Sequence, residues 1–169
     1  MTNVSAARSL LNALYSQGVR EFCVCAGARN AAFVKLLAKA DNVRVHSFFE
    51  ERSAAFFALG RMKRQETLHK APVAVLTTSG TAVAELFPAV IEAYYSALPL
   101  VIVTSDRPQA YRGSGAPQSI EQAHLFGQYT ELSLDINLSD ENSLKLLIKE
   151  KLFAGSWPEC RRPAHINIC

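Results

Sequence analysis

Val43-Arg44-Val45-His46-Ser47-Phe48-Phe49-Glu50-Glu51-Arg52-Ser53-Ala54-Ala55-Phe56-Phe57 passes from a β-prone pattern into helical spacing, with two adjacent acids at the handover. The pattern predicts a strand over Val43–Phe49 and a helix over Glu51–Arg64, the β/α unit of a parallel sheet. Carboxylates are costly to place among apolar groups, so Glu50 and Glu51 ask for a reason. One reason is structural: acids in the first turn interact favourably with the helix dipole, by well under ~2 kcal/mol. The other is chemical, because an acid in apolar surroundings has its pKa raised and can exchange a proton near neutral pH. The dipole accounts for the charge but not for the phenylalanines on either side.

Outward from this unit the alternation repeats. Ala7, Leu10, Leu11 and Leu14 share one face of a helix over Ala6–Gln17, which Gly18 stops. Phe22–Cys25 reads as a short strand, the glycine loop Ala26-Gly27-Ala28-Arg29-Asn30 follows, and Ala31–Ala40 returns to helical spacing. Beyond the opening unit come a strand over Val73–Thr77, a helix over Ala82–Ser96 bent at Pro88, and a continuous apolar strand over Leu100–Thr104. Asp106–Gln122 has no clear period and is the longest loop. A strand over Thr130–Leu134, a helix carrying Leu144, Leu147, Ile148 and Leu152 with Ser139 or Asp140 as cap, and a strand over His165–Cys169 complete the pattern. The fold class is α/β: a doubly wound, mostly parallel six-stranded sheet with helices on both faces. Ile166-Asn167-Ile168-Cys169 brings the sequence to its end on an apolar strand with no polar tail, which predicts the amino-terminal piece of a longer protein.

Composition narrows the function classes. The 169 residues are 49% hydrophobic and 20% charged, as in an ordinary globular domain. A formal charge of +3 is small and dispersed, and the tight basic groups Arg61, Lys63, Arg64 and Arg161, Arg162 carry no interleaved aromatics, so nucleic acid is not an expected partner. Cys23, Cys25, Cys160 and Cys169 have no C-x-x-C spacing. Cys23 and Cys25 alternate along one strand and read as buried small hydrophobes on one face in a reducing compartment. The residues from Met1 to Ser9 lack a basic segment followed by an apolar stretch, and no apolar run approaches the ~20 residues of a membrane span, so the expected location is cytoplasmic with no membrane span. His46, His69, His124 and His165 have neither metal spacing nor a nucleophile partner, and read as surface or core histidines.

In a parallel sheet, ligands gather at the carboxyl ends of the strands, so the loops beginning at Ala26, Glu50, Thr78 and Ser105 should converge. Gly27 permits a sharp turn or close ligand approach, and Arg29 offers a fork for a carboxylate or phosphate. A plain turn with an exposed arginine explains them equally well. Thr77-Thr78-Ser79-Gly80-Thr81 precedes a helix and could hold a polar ligand, although helix capping by Ser79 is the cheaper explanation. No glycine-lysine pair follows, so this is not a phosphate-binding P-loop, and Gly113-Ser114-Gly115 is too short for a dinucleotide fingerprint. Arg107, in Ser105-Asp106-Arg107-Pro108, could join Arg29 in binding a dicarboxylate, or could pair locally in an Asp106 turn.

Gly27-Ala28-Arg29-Asn30, Phe49-Glu50-Glu51-Arg52, Thr78-Ser79-Gly80-Thr81-Ala82-Val83 and Ser105-Asp106-Arg107-Pro108 together resemble the pyrimidine-binding domain of thiamine diphosphate enzymes, in order and spacing, over nearly the whole chain. The Ser-Gly-Thr-Ala-Val run and the later Asp-Arg-Pro resemble the branch that joins 2-oxoglutarate to isochorismate in menaquinone biosynthesis more than acetolactate synthases, which usually have Ser-Gly-Pro-Gly. The resemblance implies that Glu51 hydrogen-bonds N1′ of the cofactor's aminopyrimidine and promotes its imino tautomer. It implies that Ser79, Gly80 and Thr81 line the cofactor pocket, and that Gly27, Arg29, Arg107 and Gln118 contact substrate. It further implies decarboxylation of 2-oxoglutarate, addition of the succinyl carbanion to isochorismate, and a homo-oligomer, dimer or tetramer, with its active site between subunits. Mg2+ or Mn2+ would be held by a diphosphate-binding domain that, like the central domain, is absent from residues 1–169, so the isolated chain should be inactive. Ala28 and Asn30 stand where the family commonly has serine, and Pro117 where it often has asparagine. Other thiamine diphosphate enzymes of 2-oxo acids, and a non-catalytic doubly wound binding module, are the alternative readings.

Overall fold

Valine, leucine and isoleucine dominate Val73–Thr77 and Leu100–Ser105, and both segments are buried along their whole length. Such unbroken apolar runs suit strands covered on both faces of a parallel sheet. In the computed structural model, which describes residues 3–66, 70–137 and 162–169, they are β3 and β4. With β1 (Glu21–Cys25), β2 (Arg44–Phe48), β5 (Leu132–Ile136) and β6 (Ala164–Ile168) they form one six-stranded parallel sheet in the order β2-β1-β3-β4-β6-β5. β2 lies at one edge and is largely exposed or half-buried.

Side-chain alternation along the strands divides the apolar residues between two cores. On one face α1 (Asn3–Ser16) and α2 (Ala31–Leu37) cover Phe22, Val24, Leu76, Val103 and Ile166. On the other, α3 (Glu51–Lys63) and α5 (Phe87–Tyr95) cover Cys23, Cys25, Val75 and Ile102. Cys23 and Cys25 thus share a face, as the period of two requires. Ala54, Ala55 and Ala58, with Leu59 and Met62, form the buried side of α3.

The structure departs from the sequence reading in local detail. The helix expected over Ala82–Ser96 is two helices, α4 (Thr81–Ala84) and α5. Pro88 has no N–H for the carbonyl of Ala84, so the ladder breaks one turn before the proline. The strand expected over Thr130–Leu134 begins at Leu132 and includes buried Ile136, because pairing of Leu132 with Ala164 and Ile136 with Ile168 sets its span. The expected long loop contains a single 3-10 turn at Gln109–Tyr111. The helix expected around Leu144–Leu152, Cys160 and His69 lie outside the described residues.

Because all strands are parallel, their carboxyl ends lie at one edge. The chain leaves β1 for β2 on one side and returns to β3 on the other. The boundary between β1 and β3 is therefore a topological switch point, where the loops following them part and leave a crevice.

Candidate cofactor and substrate site

At that switch point the loop after β1 touches the loop after β3. A Cβ built on Gly27 would lie 2.5 Å from Thr78 Cβ, so glycine is needed for the close approach of the two loops. The turn is closed by Asn30, which is fully buried: the Gly27 N–H donates to Asn30 Oδ1 at 2.8 Å, and Asn30 Nδ2 donates to the Cys25 carbonyl at 2.8 Å. Arg29, beside it, is exposed.

The two acids that follow β2 have different tasks. Glu50 is the N-cap of α3 and accepts from the Arg52 and Ser53 backbone N–H groups at 3.0 and 2.6 Å. Hydrogen bonding from Ser53 holds its carboxyl below the usual carboxylate range. Glu51 begins α3, is half-buried, and accepts from the hydroxyl of buried Thr77 at 3.2 Å through Oε1. The apolar enclosure expected around it is incomplete. Phe49 is fully exposed and Phe56 and Phe57 are 43% and 38% exposed, while Phe48 packs on Phe57 with ring centroids 5.2 Å apart. These phenylalanines flank the acids in sequence, but helical geometry turns two of them outward. Beside Glu51 runs a groove of about 440 Å³ lined by Val24, Cys25, Val45, Phe48 and Phe49.

Ser79 does not cap a helix. Gly80 is the N-cap of α4, with φ +84° and no side-chain cap bond, and Ser79 is fully buried with its Oγ unpartnered. A Cβ on Gly80 would lie 2.6 Å from Gln118 Cγ, so the loop that carries Gln118 presses on the Ser79–Thr81 turn. Gln118 and Thr81 are exposed. Arg107 is half-buried; its Nη2 donates to the Pro117 carbonyl at 2.7 Å and its backbone N–H to Asp106 Oδ1 at 2.7 Å. The local Asp106 turn is therefore formed, and Arg107 folds the loop bearing Gln118. Of the residues singled out by sequence, the structure brings together Gly27 with the Thr78 loop, Glu51 with Thr77, and Gly80 with Gln118. It shows no hydrogen bond or ion pair between Arg29 and Arg107's loop.

Sequence reasoning missed a buried polar network on the same edge. Gln122 Oε1 accepts the Gly80 N–H at 2.8 Å, and its Nε2 donates to Asn167 Oδ1 at 3.0 Å and the Ser105 carbonyl at 3.3 Å. Asn167 Nδ2 donates to Asp106 Oδ2 at 3.0 Å and Asp135 Oδ1 at 2.8 Å, and Thr104 Oγ1 donates to Asn167 Oδ1 at 2.8 Å. Arg112 clamps both oxygens of Asp135 at 2.7 Å and reaches Asp106 at 3.3 Å. This pairing lowers the Asp135 pKa and raises that of Arg112. Asn167 between two isoleucines was the legible signal, a polar residue inside an apolar strand. Gln122 and Arg112, in a loop without periodicity, gave none. Among the described residues no three His, Cys, Asp or Glu side chains gather as a metal site, and no helix is long and apolar enough to cross a membrane.

Comparison with known proteins bears on this geometry. The family model described as the thiamine pyrophosphate enzyme, N-terminal TPP binding domain, matches residues 4–125. The chain is similar to 2-succinyl-5-enolpyruvyl-6-hydroxy-3-cyclohexene-1-carboxylate synthase of Bdellovibrio bacteriovorus, at 52% identity over 99% of this chain and 29% of that protein. It is also similar to the proteins of that name from Akkermansia muciniphila, at 48% identity over 98% of this chain and 28% of the relative, and Bacillus pumilus, at 38% over 94% and 27%. The chain spans less than a third of the length of these relatives.

Proposed function

This chain belongs to the family of N-terminal TPP-binding domains of thiamine pyrophosphate enzymes, and from that membership we propose that it is the amino-terminal domain of a synthase that decarboxylates 2-oxoglutarate and adds the succinyl unit to isochorismate in menaquinone biosynthesis. The observation that carries the reading is Glu51: a half-buried carboxylate at the head of α3, with Oε1 held by buried Thr77, beside the switch-point crevice. The residues present fit the cofactor's aminopyrimidine. Glu51 offers a carboxyl for a ring nitrogen, Ser79 offers a buried hydroxyl without a partner, and Gly27 and Gly80 keep the loops close and free of side chains. Thiamine diphosphate, when bound, supplies the thiazolium carbon at which a 2-oxo acid is decarboxylated.

The chain's own residues then bind, orient and hold protons. Glu51 would offer a carboxyl to hold a proton at N1′ of the bound cofactor, with Oε1 already held by the Thr77 hydroxyl. Ser79, Gly80 and Thr81 form the wall of the pocket. Arg29 is exposed and has no polar partner among the described residues, so it is available for an acidic group of substrate, with Gly27 giving backbone access beside it. Arg107 and Gln118 act from the facing loop. Mg2+ or Mn2+ and the diphosphate belong to a carboxyl-terminal domain beyond these 169 residues, and the active site lies between subunits of a cytoplasmic homo-oligomer. The exposed Phe49, one residue from the acid pair, supports that arrangement, since a phenyl ring at a water-excluded site calls for a cover.

The test is CO2 release from 2-oxoglutarate by the full-length protein with thiamine diphosphate and Mg2+, with and without isochorismate. Isochorismate-dependent turnover that collapses in Glu51→Gln supports the proposal. Turnover with pyruvate moves the protein to another branch of the superfamily, and no turnover with any 2-oxo acid leaves a non-catalytic binding module.

A further inference from the structure

We infer that Gln122 is a positioning residue of the proposed cofactor pocket: its side-chain amide, wired to Asn167 and the Asp106–Arg112–Asp135 cluster, sets the Gly80 peptide and with it the unpartnered hydroxyl of Ser79. The inference rests on the reading of Ser79–Thr81 as pocket wall.

The network has one self-consistent direction. Carboxylates only accept, so the Asn167 Nδ2 amino group faces Asp106 and Asp135, and its carbonyl oxygen faces Thr104 and Gln122. Thr104 spends its hydroxyl proton on Asn167, so at 2.9 Å from His165 Nε2 it accepts, which places the imidazole proton on Nε2. His165 Nδ1 is then bare, in agreement with its lack of a hydrogen-bond partner. Gln122, 1% exposed, must present its amino group to Asn167 and Ser105, which leaves its carbonyl oxygen for the Gly80 N–H. Neither amide can flip without opposing donor to donor and acceptor to acceptor.

What this orientation holds is an unusual piece of backbone. Gly80 has φ +84°, and the space where a side chain would sit is filled by Gln118. Its N–H is buried and takes the Gln122 oxygen as partner. Gln122 therefore joins two things distant in sequence, the turn after β3 and the ends of β4 and β6, and fixes where Ser79 stands. Such a role differs from plain core stabilisation, because it predicts a change in cofactor affinity in protein that remains folded.

The test uses full-length protein, with thiamine diphosphate and Mg2+ titrated by calorimetry and amide exchange of residues 77–81 read by mass spectrometry. Gln122→Met keeps the length and loses all three side-chain hydrogen bonds; loss of the buried bond to Gly80 predicts about tenfold weaker cofactor binding and about tenfold faster exchange in that segment. Gln122→Glu, when protonated, can accept from Gly80 and donate to Asn167, whereas when ionised it can only accept. Its affinity should approach wild type at low pH and fall toward that of Gln122→Met as pH rises. Asp106, Asp135, Arg112, His165 and His124 titrate or carry charge around the network in every variant, so the difference from Gln122→Met at each pH isolates the new carboxyl. Wild-type affinity in Gln122→Met, with only the melting temperature lowered, would overturn the inference and leave Gln122 structural. If Gln122→Met does not fold, a flat affinity profile for Gln122→Glu overturns it instead. Wild-type protein that binds no thiamine diphosphate removes the underlying reading, an outcome distinct from the other two.

Discussion

Cys23 and Cys25 lie two residues apart on β1 and face α3, and burial pushes each thiol up to about 12. Thiolate is the reactive form, so both should resist alkylation at pH 8 in folded protein and react on unfolding, as peptide mapping by mass spectrometry would show. His165 is a second case of burial deciding chemistry. Desolvation chiefly lowers its pKa from 6.5 to about 4, with His124 adding to the effect and Asp135 opposing it. It packs edge-on against Phe126, bonds Thr104 on β4, and pairs with Ser133 on β5. The native state keeps it neutral while the unfolded chain protonates below pH 6.5. Its contribution is present above that value and lost as pH falls toward 4, to a limit of about 3 kcal/mol. Glu21, held low by Arg61, and Asp135, held low by Arg112, lose their contributions only below the unfolded carboxylate values. Exchange of β4 and β6 amides, corrected for intrinsic rates, should therefore accelerate between pH 6.5 and 4.5, and His165→Gln should flatten that rise. Gly27→Ala should destabilise the domain by ~1–3 kcal/mol, because the new Cβ meets Thr78 Cβ at 2.5 Å. Thr78→Gly in the same chain should recover part of the loss in melting temperature.

At the scale of elements, α3 shows how one helix carries structure and chemistry on neighbouring residues. Its amino end is capped by Glu50, its carboxyl half is tied to β1 by the two 2.7 Å bonds from Arg61 to Glu21, and its alanine face lies on the sheet. Glu51 is free of these tasks. Glu50→Ala should speed exchange at the Arg52 and Ser53 amides, whereas Glu51→Ala should leave them protected; equal fraying in both variants would contradict this division. Asn30 plays a similar structural part for the loop after β1. Its amide spans from the Gly27 N–H to the Cys25 carbonyl, which requires separate donor and acceptor atoms. A serine at this position would have one oxygen for both tasks and could not close the turn in the same way. Pro88 acts through what it lacks: without an N–H to offer the Ala84 carbonyl, it separates α4 from α5.

For the molecule as a whole, the exposed aromatic surface is the informative feature. Phe49 is fully exposed, and Phe56, Phe57 and Tyr95 are exposed on or near α3 and α5. Together with the crevice at one sheet edge, they are the surface that the proposed function expects a partner subunit to cover. The isolated chain should therefore bind thiamine diphosphate weakly or not at all, and tight binding by calorimetry would refute this. In the full-length protein Phe49→Ser should shift sedimentation toward smaller species and weaken cofactor binding, with an unchanged circular dichroism spectrum. Retention of the wild-type assembly would show that the ring is not covered by a partner subunit.

The alternation of strand and helix, the two-faced burial of the sheet and the loops that border the crevice were legible in the chain because they rest on local periodicity. The strand expected over Val73–Thr77 has those bounds in the structure, and the turn at Gly27 and the helix beginning at Glu51 follow from local signals, whereas the helix expected from Ala82 with Ser79 as cap begins at Thr81 with Gly80 as cap. Partners far apart in sequence were not legible. The order β2-β1-β3-β4-β6-β5, the span of β5, the division of labour between Glu50 and Glu51, and the bonds joining Gln122, Asn167, Asp106, Arg112 and Asp135 depend on contacts between distant segments. Periodicity records which side of an element is apolar. Which buried polar group meets which is settled only when the sheet has formed and each donor left without water must find an acceptor.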